Sequence, residues 1–114
     1  MEKVEHVNQS LRRSPQWKAL TEHRKVQKQW HLRTLFEEDA DRFENFSLRL
    51  DHTLFDFSKN LLSEQTISYL IDLAEKAGLQ ERIQALFSGA HVNTTEDRPA
   101  LHTALRNFDT HPVY

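Results

Sequence analysis

The sequence predicts a mainly α-helical protein with one β-hairpin, an α+β fold. Ser14-Pro15 suits the start of a helix, with serine as the cap and proline at the first helical position. Over residues 46–58 apolar and polar side chains alternate, which is the two-residue period of a half-buried strand. Ser63 then precedes an apolar stripe at helical spacing that stops at Gly78.

The first helix is expected to run from Pro15 to about Trp30. At about 100° per residue, Trp17 and Leu20 lie on one side of it, whereas Val26 and Trp30 lie on the opposite side. A helix with two bulky apolar faces needs two surfaces to cover it. A 114-residue domain supplies two such surfaces with difficulty, so the pattern favours a segment that wraps around a larger body.

One or two short helices are expected between Leu32 and Phe46, broken around Asp39-Ala40-Asp41. A hairpin follows, with its turn at Asp51-His52-Thr53. An isolated hairpin is only marginally stable in water, so its apolar face is expected to rest on helices. The alternating apolar residues of the two strands are Phe46, Leu48, Leu50, Phe55 and Phe57.

Two further helices are expected after the hairpin, one capped by Ser63 and running to Ala77, the next at about 80–88. Gly89 suits the position after a helix end that requires a positive φ. The stripe of the Ser63 helix consists of Ile67, Leu70, Ile71, Ala74 and Ala77, and the next helix presents Ile83, Leu86 and Phe87.

A last helix is expected from about Asp97 to Asn107, capped by Thr94 or Thr95. On that helix Arg98, His102 and Arg106 would form a basic ridge, because they lie four residues apart. Such a ridge suits either an anion such as phosphate or structural salt bridges, and salt bridges are favoured. Residues 108–114 are expected to be irregular.

Composition excludes several classes of protein. The chain has no cysteine, which rules out disulfides and thiolate metal sites. Hydrophobic residues make up 38% and the mean hydropathy is −0.72, so many faces must meet solvent or other protein. No apolar run reaches the roughly 18 residues of a membrane span, and the beginning lacks a secretory pattern. A cytoplasmic protein that contacts no membrane is expected.

Charge is unevenly distributed along the chain. Residues 1–33 carry eight Lys/Arg against three Asp/Glu, whereas residues 34–114 carry seven against fourteen. A basic segment of this kind can bind nucleic acid, and such binding would weaken steeply with salt. Its basic residues are not interleaved with stacking aromatics, so packing against acidic protein surface is favoured and no nucleic-acid partner is predicted.

No catalytic, cofactor-binding or metal-binding residue is predicted. His23 and His31 are eight residues apart, and His102 and His111 straddle a helix end, so neither pair has metal-ligand spacing. The carboxylates are typical of a solvated face, and the glycines, Gly78 and Gly89, are helix stops rather than a phosphate cradle.

Three blocks of sequence carry a family resemblance. The run Ser88-Gly89-x-x-Val92-Asn93-x-Thr95-Glu96-x-Arg98-x-x-Leu101-His102-x-Ala104-Leu105-Arg106-Asn107 resembles the N-terminal signature of the glucose-6-phosphate isomerase (phosphoglucose isomerase) family. Leu35-Phe36 followed by Asp41-Arg42-Phe43 fits the same family, as does Asp56-Phe57-Ser58-Lys59-Asn60. Pro99 stands where the family pattern has alanine, a departure that concerns the start of a helix.

The resemblance implies the fold and activity of a much longer polypeptide. The family interconverts glucose 6-phosphate and fructose 6-phosphate in glycolysis and gluconeogenesis through a cis-enediol, by acid–base and electrostatic catalysis without a cofactor. Its members are homodimers of a larger α/β sugar-isomerase fold. The catalytic and phosphate-binding motifs belong to later segments, so no catalytic residue is carried over to this chain.

The resemblance therefore predicts an inactive scaffold whose partners are the rest of the isomerase chain and a second subunit. Residues 1–13 are expected to be a mobile arm, and residues 14–114 a helical and hairpin segment without the catalytic domains. The sugar phosphate is expected to bind the full-length protein only. A stand-alone helical module that binds another protein without catalysis is the alternative.

Overall fold

A computed structural model describes residues 10–106. These residues form two compact units, one comprising Ser14–Ile71 and the other the described residues 10–13 and 72–106. Most of the expected mobile arm at 1–13 and the expected irregular end at 108–114 lie outside the described residues. Within the arm, residues 10–12 are helical, and the Arg13 amide donates to the Ser10 carbonyl at 3.2 Å.

The described chain is mainly helical with a single two-stranded antiparallel sheet, which confirms the predicted fold class. A short 3-10 turn at Ala104–Arg106 follows the last α-helix. In chain order the elements are α1 (Pro15–Gln27), α2 (Leu32–Glu38), α3 (Arg42–Asn45), β1 (Ser47–Leu50), β2 (Thr53–Asp56), α4 (Glu64–Lys76) and α5 (Leu79–Phe87).

Helix α1 begins as predicted but ends earlier. Its cap is the buried side chain of Ser14, whose hydroxyl accepts a hydrogen bond from the Trp17 amide at 3.2 Å. The helix stops at Gln27, three residues before the predicted end at about Trp30. Trp30 meets the ring of His23 edge-to-face, with 5.4 Å between the ring centroids. Val26 does stay exposed, at 57%.

The break predicted around residues 39–41 is confirmed, since it separates α2 from α3. The hairpin is also confirmed, with a two-residue turn at Asp51-His52 and Thr53 as the first residue of β2. Asp51 has a φ of 52°, as expected for a tight turn whose twist matches that of the strands.

The expected burial of the hairpin is wrong, except at its base. Phe46, just before β1, is 4% exposed, but Leu48, Leu50 and Phe55 are 65%, 80% and 68% exposed. The hairpin's apolar face therefore does not rest on helices in the described structure, because the helices nearest to it in sequence pack at its base.

Helices α4 and α5 match their predicted ends. Ser63 caps α4, and Gly78 (φ 74°) and Gly89 (φ 75°) take the left-handed conformation that stops α4 and α5. The apolar stripe of α4 is only partly covered, however. Leu70 and Ile71 remain 40% and 53% exposed, and Thr66 is the fully buried residue of the helix.

The helix expected from Asp97 to Asn107 is wrong over the described residues. Asn93 and Arg98 form an antiparallel bridge, with backbone hydrogen bonds of 3.0 and 3.2 Å that close a tight loop. Asp97 has a φ of 51°, which no α-helix accommodates. Pro99 also disfavours helical backbone at Arg98. Only Ala104–Arg106 turn helically, so the basic ridge does not form on an α-helix.

Candidate functional site

A buried arginine holds together the described part of the Ser14–Ile71 unit. Arg42, on the short helix α3, is 3% exposed. Its Nε donates to the Ser58 carbonyl at 2.9 Å, and one terminal nitrogen donates to the carbonyls of Asn60 and Leu62 at 2.9 and 3.0 Å. The planar guanidinium thus satisfies three backbone acceptors of the loop that connects β2 to α4.

Aromatic rings complete the surroundings of this guanidinium. The carbon at its centre lies 4.5 Å from the centroid of the Phe46 ring and 5.5 Å from that of Phe36. Phe46 in turn meets Phe57 edge-to-face at 6.0 Å. A cation over the face of an aromatic ring is stabilised by the ring quadrupole, the more so when both are shielded from water. We call Arg42, the three carbonyls and these rings the arginine clamp.

The loop that the clamp grips is itself shaped by an aspartate. The Asp56 carboxylate accepts hydrogen bonds from the Ser58 hydroxyl at 2.6 Å and from the Ser58 amide at 2.9 Å, and Lys59 lies 3.3 Å away. The hydrogen bonds from Ser58 are the main reason that the pKa of Asp56 is lowered. Two blocks that are separate in the sequence, Asp41-Arg42-Phe43 and Asp56 to Asn60, therefore form one structural unit.

A second buried polar cluster joins α1 to the start of α4. Thr66 is 3% exposed, and its hydroxyl is hydrogen-bonded to His23 Nε2 at 2.6 Å. Ser63 and Thr66 also exchange hydrogen bonds, since each hydroxyl accepts from the amide of the other residue at 3.0 and 3.2 Å. The His23 ring is enclosed by the edges of Trp30 and Tyr69. This reciprocal cap fixes the beginning of α4 against α1.

Beside that cluster lies an open groove of about 420 Å³ between α1 and α4. Its walls are mainly apolar, and Trp17 at 37% and Leu70 at 40% are its most exposed apolar members. Gln27, one of the lining residues, donates a hydrogen bond to the Leu61 carbonyl. The lining residues are Trp17, Leu20, Thr21, His23, Arg24, Gln27, Leu62, Thr66 and Leu70.

The chemistry of this groove suits protein packing better than catalysis. A catalytic site needs an acid–base pair or a nucleophile with its activating base around a ligand cavity. Here the histidine is hydrogen-bonded to a buried threonine and meets the rings of Trp30 and Tyr69 edge-to-face, which are contacts that position helices. The groove can accept an apolar side chain but presents no carboxylate to a substrate.

The structure also places the remaining candidate residues. His91 lies 3.0 Å from the Asp97 carboxylate in the exposed loop, and Arg98 takes part in the backbone bridge to Asn93. Among residues 10–106, no group of three or more His, Cys, Asp or Glu side chains could hold a metal ion. His111 lies outside the described residues. No helix between residues 10 and 106 is long and apolar enough to cross a membrane.

Arg42 is the structurally important residue that reasoning about local patterns did not find. Spacing alone gives an arginine on a four-residue helix no special role. Its position between Phe36 and Phe46 in the sequence was the available signal. That signal predicts a contact only when the hairpin is known to bring residues 58–62 back to α3.

Comparisons with known proteins agree on a single family. A family model described as phosphoglucose isomerase matches residues 56–114, a little over half of the chain. A glucose-6-phosphate isomerase of Methylococcus capsulatus is 48% identical over 99 residues, which cover 87% of this chain and 18% of that protein. Proteins of the same name from Pseudomonas putida and Chlorobium luteolum are 46% and 45% identical, covering 81% and 84% of this chain and 17% of each relative.

The chain thus spans less than a fifth of the length of the curated relatives it matches. The family model begins at Asp56, the residue that shapes the loop held by the arginine clamp, and it includes the loop closed by Asn93 and Arg98. On these matches, the chain belongs to the phosphoglucose isomerase (glucose-6-phosphate isomerase) family.

Proposed function

We propose that this chain is the N-terminal structural segment of a glucose-6-phosphate isomerase and carries no catalytic group of its own. The complete enzyme would interconvert glucose 6-phosphate and fructose 6-phosphate through a cis-enediol, as the family resemblance implies. The relatives named above carry this enzyme's name, and the chain matches only 17–18% of their length. The rest of such a polypeptide is where the chemistry would reside.

The observation that carries the proposal is the use made of the buried polar side chains. Arg42, Ser58 and Thr66 are 3%, 1% and 3% exposed, and their hydrogen bonds go to the chain's own backbone and neighbouring side chains. Groups engaged in this way stabilise a fold. The carboxyl of Asp56 has a lowered pKa, the opposite of the raised pKa that a catalytic carboxyl needs near neutral pH.

The partners follow from the same assignment. The segment would be covered by the later part of its own polypeptide and, in the dimer, would lie within an assembly of two such chains. The sugar phosphate would bind the complete enzyme, and neither nucleic acid nor membrane is a partner. A cytoplasmic location suits an enzyme of glycolysis and gluconeogenesis.

The first test is a coupled assay of the purified 114-residue chain. Fructose 6-phosphate is supplied, and any glucose 6-phosphate formed is oxidised by an NADP-dependent dehydrogenase and followed by absorbance. We expect no turnover above that of a blank without protein. Turnover at the rate of a complete family member would overturn the proposal.

A positive test uses a chimera. The stretch of the Methylococcus capsulatus isomerase that this chain matches is replaced by residues 1–114, which restores a polypeptide of full length. We expect kcat/KM within about tenfold of the parent enzyme, because 48% identity preserves the structural role of the segment. A folded chimera without activity would contradict the proposal.

The alternative is a stand-alone module that binds another protein through its apolar surfaces. The many exposed apolar side chains, such as Leu105 at 86% and Leu50 at 80%, suit either function. The DNA after the codon for Tyr114 discriminates between them. An open frame that encodes sugar-phosphate-binding domains supports the isomerase segment, and a stop codon at that point favours a fragment or an independent binding module.

A further inference from the structure

We propose that one face of the hairpin is the surface by which this segment packs against the isomerase polypeptide that follows it. The apolar residues of that face are Leu48, Leu50 and Phe55, next to Thr53, and we call these three the hairpin face. The inference rests on the proposed function, and it identifies the part of the segment that meets the body of the enzyme.

The register of the hairpin puts these three side chains together. Leu48 pairs with Phe55 across the two strands, and directly paired residues point to the same side of a sheet. Leu50 lies two residues beyond Leu48 and therefore shares that side. Their exposed fractions are 65%, 68% and 80%, so this apolar cluster is open to solvent.

The opposite face of the hairpin is mainly polar. It carries Ser47, Arg49 and Asp56, with Leu54 as its apolar member at 44% exposure. Antiparallel sheets with one apolar and one polar face are normally covered on the apolar side and solvated on the other. The hairpin thus has the composition of a sheet that is covered on one side, while the covering layer is missing from the described residues.

The area of the hairpin face argues against a second copy as the covering partner. Even if each side chain had the roughly 250 Å² of a large aromatic, the three at these exposures would offer at most about 530 Å². A stable protein–protein interface buries about 800 Å² on each partner. The face alone is therefore too small to hold two separate molecules together.

A covalently linked partner does not need so large an area. When two surfaces belong to one polypeptide, the effective concentration of one for the other reaches the millimolar range, and weak contacts suffice. The matched relatives are more than five times as long as the stretch they share with this chain. An apolar surface on that later polypeptide is accordingly the occupant to which the structure points.

The absence of cysteine from this chain allows a direct test. Leu50→Cys is introduced into the isolated chain and into the Methylococcus chimera. Both proteins are exposed to a maleimide, and the rate of alkylation at residue 50 is measured by mass spectrometry on the peptide that contains it. Arg49→Cys, one residue earlier on the polar face, is the matched control. We expect alkylation of Leu50→Cys to be at least tenfold slower in the chimera than in the isolated chain, with less than a threefold change for Arg49→Cys.

Equal slowing at both positions, or none at either, would overturn the hairpin face as the docking surface. Slowing in the isolated chain as its concentration rises would assign the face to a second copy, and would also overturn the proposal. Turnover of the chimera distinguishes failure of the docking surface from failure of the proposed function. An active chimera with rapid alkylation of Leu50→Cys rejects the docking surface alone, whereas an inactive folded chimera rejects the proposed function and this inference with it.

Discussion

Replacing Arg42 with alanine removes three hydrogen bonds at once and leaves the carbonyls of Ser58, Asn60 and Leu62 without their donor. A hydrogen bond to a charged group contributes about 1.5–3 kcal/mol to stability. The three losses are not additive, because part of the loop will gain contact with water. We therefore expect the free energy of unfolding to fall by about 3–5 kcal/mol, which lies between the contribution of one such hydrogen bond and the sum of three.

A loss of that size is large for this protein. The total stability of a single domain is about 5–15 kcal/mol. Among residues 10–106, Phe46 is the one large apolar side chain that is buried, so apolar burial does little to offset the loss. Arg42→Lys retains the charge but not the planar fork that reaches three acceptors, so we expect a smaller loss of about 1.5–3 kcal/mol. Arg49→Ala, at an exposed position of β1, is the control and should change stability by less than about 0.5 kcal/mol.

Urea denaturation followed by tryptophan fluorescence measures these losses, because Trp17 and Trp30 both belong to the Ser14–Ile71 unit. Should Arg42→Ala be unfolded already without urea, Arg42→Lys keeps the comparison within a measurable range. If both Arg42 variants unfold at the same urea concentration as Arg49→Ala, the arginine clamp does not stabilise this unit and the reasoning is refuted.

Three further predictions concern single side chains. Because the folded-state pKa of Asp56 lies below its ordinary value of 3.8, its ionised form stabilises the fold above that pH, and the contribution disappears as the pH falls through the folded-state pKa. Asp56→Asn should therefore flatten the pH dependence of the urea midpoint below about pH 4, and an unchanged profile would show that the Ser58 hydrogen bonds do not matter. Gly78→Ala should lower stability by about 1–2 kcal/mol in thermal unfolding, since Gly78 has a φ of 74°, which strains any residue with a Cβ; a stabilised variant would contradict this. Ser63→Ala should remove about 1 kcal/mol through loss of the α4 cap, and Ser68→Ala on the exposed face of α4 is its control.

Local chemistry explains why most element boundaries were predictable. Ser14-Pro15, Gly78 and Gly89 act on the backbone within one turn of themselves, so their effect does not depend on the rest of the fold. The hairpin was also predictable, because a two-residue period over 46–58 does not fit a helix.

The failures come from a local signal that was outweighed by apolar spacing and from contacts that local patterns do not encode. The stripe of Ala100, Leu101, Ala104 and Leu105 has helical spacing, yet Asp97 adopts left-handed backbone and Pro99 restricts Arg98, so the loop closes on Asn93 instead. Burial of the hairpin could not be derived from alternation either. Alternation shows that one face is apolar, but whether that face is covered depends on the surface that meets it.

The clamp illustrates the same limit for the site. Arg42 and Ser58 are sixteen residues apart and meet because the hairpin reverses the chain between them. The family resemblance singled out both blocks, but it could not say that the residues stabilise the fold rather than contact a substrate. Only the three carbonyl distances assign the arginine its structural role.

The measurement that tests the central claim most directly is isomerase turnover in the chimera, compared with the Methylococcus enzyme from which the matching segment has been deleted. The account predicts that the deleted enzyme loses its structural support and its activity, and that residues 1–114 of this chain restore kcat/KM to within about tenfold of the parent. Undiminished activity after deletion, or a folded chimera that remains inactive, would contradict it.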